Sequence, residues 1–258
     1  MKRYIYRVSA AFLVVALTAC GTLSGEKESR QDKRIADTNI QLGIAYMRAG
    51  DYDTAMKKLH KALDADPDSA TANGTLAILY ETVGENQLAE KHFKRALYLS
   101  PKDPQTHNNY GQFLCRHGEY TKALEQFEIA ASDPLYTGLA ASLTNAGICA
   151  GKIPDAKQAE DYFRKALEHD KNFSYALLQM ANLMFTQEKY LAARAYIQRF
   201  DGVSAPSAES LWLGVRIESA LGDMSAAGSY ALKLKNNFPN TVEAAKLREW
   251  ENEHRGQR

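Results

Sequence analysis

From residue 36 onward, apolar and small residues fall three and four positions apart, the spacing of one face of a helix. In the first stretch Asn39, Leu42, Gly43 and Tyr46 keep this step; after Gly50-Asp51-Tyr52 it resumes at Ala55, Leu59 and Ala62. Asp66-Pro67 ends the second run, because proline lacks an amide donor and pushes the residue before it out of the helical region. The same sentence returns down the chain. Leu76, Ala77, Tyr80, Gly84, Ala89, Phe93, Ala96 and Pro101 form the second copy; Tyr110, Gly111, Leu114, Gly118, Tyr120, Ala123, Phe127 and Ala130 form the third. Copies start at residues 36, 70, 104, 140, 174 and 208, so the step is 34 except for one step of 36, where the stretch 132–139 (SDPLYTGL) lengthens a turn. Each copy predicts two antiparallel helices that approach closely at Gly or Ala and are filled elsewhere by large side chains. The fourth keeps Gly147, Ala159, Phe163 and Ala166. The fifth keeps Ala181, Tyr190 and Ala193 but has Phe200 at a usually small position, and the sixth keeps Gly222, Ala227 and Pro239 but has Val215 where the helices should touch. Looser or shifted packing is expected at those two points.

A helix-turn-helix period of 34 residues resembles the tetratricopeptide repeat (TPR). The expected fold is all-α: a right-handed superhelical solenoid of six TPR helix-turn-helix repeats, over residues 36–69, 70–103, 104–139, 140–173, 174–207 and 208–241. Residues 242–258 supply a C-terminal capping helix and tail, since a terminal repeat otherwise leaves an apolar face uncovered. The repeating Gly, Ala, Tyr and Phe residues are read as core.

The beginning of the chain follows another pattern. Lys2, Arg3 and Arg7 precede an apolar run from Val8 to Ala19, about 18 Å of helix against roughly 30 Å of hydrocarbon, too short to span a bilayer. Residues 1–19 therefore read as a secretory signal. Leu17-Thr18-Ala19-Cys20 resembles the bacterial lipobox, which implies cleavage before Cys20 and its modification with a diacylglycerol and an N-terminal acyl chain such as palmitate. Several acyl chains hold a protein on a membrane where one does not. Gly21 stands where inner-membrane lipoproteins usually carry Asp, so the resemblance implies the outer membrane of a Gram-negative cell, with residues 20–35 as a lipidated flexible tether.

Charge adds an exclusion. Lys+Arg is 32 against Asp+Glu 31, so no polycationic surface points to nucleic acid. Phosphate loops, dinucleotide fingerprints, HExxH and the GxSxG nucleophile motif are all absent from the sequence, and the six histidines are scattered. The chain is read as a non-enzyme: no catalytic residue, no metal ligand set, no cofactor and no small-molecule substrate is expected. Cys115 and Cys149 are the twelfth and tenth residues of neighbouring first helices, and past a signal sequence they would enter an oxidising compartment. A disulfide and a pair of small buried thiols are both compatible with that placement.

First helices line the concave face of a TPR array, and side chains pointing there are free of packing duty. Reading positions two, five, six, nine, twelve and thirteen yields Ile40, Gln41, Ile44 and Met47; then Gly74 and Ile78; then Asn108, Asn109 and Gln112; then Thr144, Asn145 and Ile148; then Tyr175, Gln179, Asn182 and Phe185; and last Trp212 and Arg216. An amide-rich middle flanked by apolar ends suits an extended peptide, because Asn and Gln both donate and accept hydrogen bonds. The protein-binding groove is therefore placed on Ile40, Gln41, Ile44, Met47, Ile78, Asn108, Asn109, Gln112, Asn145, Gln179, Asn182 and Trp212, with Ile40, Ile44, Met47 and Ile78 as an exposed apolar patch.

The stretch His107-Asn108-Asn109-Tyr110-Gly111-Gln112-Phe113-Leu114-Cys115, with Ala131 to Tyr136, Leu213-Gly214-Val215-Arg216 and Leu234-Lys235-Asn236-Asn237-Phe238-Pro239, is closer than a generic TPR. With the lipobox, the chain resembles the type IV pilus biogenesis and stability lipoproteins, pilotins of the pilus secretin. The resemblance implies a lipid anchor on the periplasmic face of the outer membrane, a secretin subunit as partner, and promotion of secretin localisation and multimerisation. A TPR lipoprotein adaptor for a periplasmic protease or for outer-membrane protein insertion would use the same parts.

Overall fold

The computed structural model describes residues 30–153 and 156–254, and among these residues it shows thirteen α-helices and no strand. The expected signal peptide, Cys20 and the tether up to residue 29 lie outside the described residues. The chain divides into two compact units, one ending at Thr106 and one beginning at His107. The first holds α1 (residues 30–48), α2 (Tyr52–Ala65), α3 (Ala70–Thr82), α4 (Asn86–Leu99) and the start of α5 (Pro104–Arg116). The second holds the rest of α5, then α6 (Tyr120–Ala131), α7 (Leu139–Ala150), α8 (Ala156–His169), α9 (Ser174–Thr186), α10 (Tyr190–Val203), α11 (Ala208–Ala220), α12 (Met224–Asn237) and α13 (Val242–His254). The architecture is the all-α TPR fold read from the periodicity.

One expectation needs correction at the first helix. Residues 30–35, expected as tether, are helical and continuous with α1. The segment from Arg30 to Ile35 is made mostly of good helix formers, and Thr38 Oγ1 and Asn39 Nδ2 donate back to the carbonyls of Arg34 and Ile35 at 2.8 Å each.

Small-against-large contacts hold the hairpins together. A Cβ added at Gly43 would lie 2.7 Å from Leu59, one at Gly111 2.8 Å from the Phe127 ring, and one at Gly147 2.5 Å from the Phe163 ring. The glycine on the first helix lets the large side chain of the second sit almost on its backbone. In the sixth hairpin the same contact is displaced by one residue: a Cβ added at Gly214 would lie 2.6 Å from the Tyr230 ring, while Val215 on α11 and Ala231 on α12, at the places of the glycines and of the large side chains, are buried in the C-terminal core. Looser or shifted packing was expected there and at Phe200: the contact of the sixth hairpin is shifted by one residue, and Val215 and Phe200 are both buried, at 0% and 5% exposure. At the C-terminal end Ala244 and Leu247 of α13 complete a core with Leu211, Val215 and Leu234.

Turns between paired helices repeat as well. Gly50, Gly84, Gly118 and Gly222 all take positive φ, the left-handed conformation that closes a helix end and that only glycine adopts freely. In the fifth hairpin the equivalent residue is Glu188, at φ 58°. A side chain there costs on the order of 1 kcal/mol, and the Glu188 side chain is exposed. Glu188→Gly is therefore expected to stabilise the protein by about 0.5 to 1 kcal/mol. Chemical denaturation of the two proteins side by side checks it; an unchanged or lowered midpoint would refute the strain.

Candidate functional site

Exposure along the first helices sorts the expected groove residues by repeat position. At position five, Ile40 is 2% exposed, Asn108 5% and Leu178 6%, and Thr144 is fully buried. Position five lies three residues before the Gly/Ala contact at position eight, so it shares the face turned to the second helix. Ile40 is thus a core residue, packed with Ala36, Ala55, Leu59 and Leu76. Asn108 is likewise interior and not a groove contact. The apolar patch shrinks with it, because Ile44 and Met47 are half-buried against that same core cluster.

Position nine behaves differently. Ile44, Ile78, Gln112, Ile148, Asn182 and Arg216 are all half-buried, with one flank on the helix pair and one toward solvent. Asn109, Asn145 and Gln179 at position six share that intermediate exposure, and Gln41 is exposed. The amides also tie helices together: Asn145 Nδ2 donates to Asn108 Oδ1 at 3.1 Å, joining α7 to α5. In the first unit Asn73 Oδ1 pairs with His92 Nδ1 at 2.9 Å, and burial lowers the pKa of that imidazole, with Lys91 acting in the same direction.

Aromatic and charged groups converge where α9 and α11 pack. The Arg216 guanidinium stands 4.6 Å from the Phe185 ring centroid and 5.9 Å from that of Trp212. Its Nη2 makes a long 3.5 Å contact to Asn182 Oδ1. Trp212, expected in the groove, is half-buried, with its indole against the C-terminal core. Burial lowers the Arg216 pKa from its ordinary value, and Glu209 partly offsets this. Tyr175 is raised by burial and by the same Glu209. The identity of Arg216 as the centre of this cluster was missed by the groove assignment. Its signal was present: Asn182 and Arg216 are 34 residues apart, the same position of successive repeats.

Cys115 and Cys149 form a disulfide with Cα atoms 5.8 Å apart, joining α5 to α7. Among the described residues no group of three or more His, Cys, Asp or Glu side chains is placed to hold a metal ion. The first helices present amide side chains, half-buried apolar side chains and, on α11, the Arg216 guanidinium over Phe185 and Trp212.

Two tetratricopeptide-repeat family profiles match residues 40–104 and 92–125, so both the fold and the repeat sequence define a TPR protein. The similarity then becomes more specific. Over 241 residues the chain is 33% identical to the type IV pilus assembly protein PilF of Pseudomonas aeruginosa, spanning 92% of this chain and 96% of that protein. The solved structure of P. aeruginosa PilF matches at TM-score 0.75 and 32% identity, covering 86% of this chain and 99% of that one. PilW, described as a widely conserved type IV pilus biogenesis factor, also matches at TM-score 0.75, with 30% identity over 83% of this chain and 98% of that one. The chain belongs to the PilF/PilW family of type IV pilus biogenesis TPR proteins.

Proposed function

We propose that this chain is an outer-membrane lipoprotein that acts as a pilotin: it binds the type IV pilus secretin subunit and promotes its localisation and multimerisation at the outer membrane. The observation that carries the reading is similarity to PilF along nearly the whole of both chains, joined to Leu17-Thr18-Ala19-Cys20 at the start. A TPR surface has no need of catalysis to do this. A lipid anchor on Cys20 holds the client close to the bilayer, where a high effective concentration replaces diffusion of each subunit. The half-buried position-nine and position-six residues of the first helices supply the contacts.

Cys20→Ala tests the anchor. The variant is expected to leave the outer-membrane fraction and to reduce secretin multimers there by roughly tenfold or more, as the loss of tethering predicts. Normal multimers at the outer membrane with Cys20 replaced would overturn the proposal. Copurification of a periplasmic protease or of the outer-membrane insertion machinery, with no secretin, would favour the adaptor reading instead.

A further inference from the structure

Among the described arginines of the second unit, most have a polar partner. Arg194 meets Glu218 through two hydrogen bonds and lies 3.6 Å from Asp223. Arg164 binds Glu160 at 2.5 Å, and Arg199 donates to the Lys171 carbonyl at 2.9 Å. Arg216 is different. Its Nε is buried without a hydrogen-bond partner among the described residues, and none of the ion pairs found among those residues includes it. Its one polar contact, to Asn182, is at the outer limit of a hydrogen bond. A half-buried charge with an idle donor is costly to maintain. Phe185 and Trp212 nevertheless hold the guanidinium, which leaves N–H groups at its edge free to donate.

We infer that Arg216, set between Phe185 and Trp212 and flanked by Asn182, is a binding site for an acidic side chain of an extended polypeptide partner. The chemistry selects the ligand. A planar guanidinium offers two parallel donors that match a carboxylate, and stacking on the rings fixes its plane while leaving its edge available. A phosphate-rich partner would call for several cations together, whereas the charged neighbour here is Glu209, one acidic residue two turns before Arg216 on α11.

Position decides that the carboxylate belongs to an interior residue. Phe185 lies three residues nearer the C-terminal end of the first helices than the Asn182–Arg216 level, while Gln179 and Tyr175 lie three and seven residues on the other side. Tyr175 is 43% exposed. The surface thus continues past the guanidinium in both directions, and a chain crossing it does so with a residue that has neighbours on each side. Gln179 and Asn182 supply amides for its main chain. This site is independent of the pilotin reading: the secretin could prove not to be the client and the carboxylate preference would remain.

The probe is a library of random hexapeptides, acetylated at one end and amidated at the other, offered to the full chain. Peptides carrying Asp or Glu are expected to bind roughly tenfold more tightly than their Asn or Gln counterparts, the scale of one charge-assisted pair. Arg216→Gln is expected to abolish that preference while leaving the melting temperature and the binding of uncharged peptides in place. Arg216→Lys is expected to recover only part of it, since an ammonium keeps the charge and loses the fork. Phe185→Leu, which keeps apolar bulk without the ring, is a second variant should Arg216→Gln unfold, and it is expected to weaken the preference. No acidic preference in the wild type, or the same preference after both substitutions, would overturn the site. A preference seen only when the C-terminus is left uncapped would overturn the interior side chain in favour of a terminal carboxylate.

Discussion

Phe127→Ala is expected to destabilise the second unit by about 3 to 5 kcal/mol, the range for emptying a buried aromatic site. Phe127 is 1% exposed, and its ring lies against the backbone of Gly111, with three ring atoms 2.8 to 3.1 Å from where a Cβ would stand. That neighbour cannot collapse into the space, because it has no side chain to move. A double-mutant cycle sharpens the claim. Gly111→Ala alone drives a methyl into the ring and is expected to cost about 1 to 3 kcal/mol, whereas on the Phe127→Ala background the same methyl enters a void and restores part of the loss. The coupling is expected to be on the order of 2 kcal/mol. Denaturant unfolding of the four proteins measures it, and simple additivity would show that the two residues do not share the contact.

The second large effect is expected from the disulfide. Cys115 and Cys149 close a loop with a sequence separation of 34, and by loop entropy such a closure stabilises by about 3 to 4 kcal/mol. Both side chains are buried, at 7% and 0% exposure, so replacement by alanine removes the cross-link with little change in packing. Cys115→Ala/Cys149→Ala is expected to melt roughly 10 °C lower than the oxidised protein, the shift that such a free energy produces in a unit of this size. Reductant should lower the wild type similarly and leave the variant unmoved. Equal melting of oxidised and reduced wild type would show that α5 and α7 are held together without the bond. In that case the stack of small residues on α7, with Ala146, Gly147, Cys149 and Ala150 all buried, would be carrying the junction alone.

Some of this molecule could be read directly from residue order. A period of 34 with Gly or Ala at one position and a large residue sixteen places later is a local code, since Gly43 and Leu59, or Gly147 and Phe163, are joined by a single turn. The cysteines were legible for a related reason: equivalent positions of successive repeats come together, so twelfth and tenth residues of adjacent first helices are near in space. The groove was read less well. Ile40 and Asn108 were assigned to it by counting positions, yet position five turns toward the partner helix. The distinction is a rotation of one residue step, 100° around a helix, and a sequence pattern of mixed Ile, Gly, Asn, Thr, Leu and Trp at that position does not reveal it.

Hairpin geometry, helix order and the all-α repeat class were determined by the sequence alone, because each depends on contacts within one repeat or between repeats one period apart. Tertiary structure decided the rest. It assigned Ile40 to the core, displaced the glycine contact of the sixth hairpin by one residue to Gly214 and Tyr230, and brought Asn182, Phe185, Trp212 and Arg216 from two helices to one place. The physical reason is that burial and the surroundings of a charge depend on every neighbouring atom in three dimensions. A one-dimensional pattern records only which neighbours the chain is able to supply.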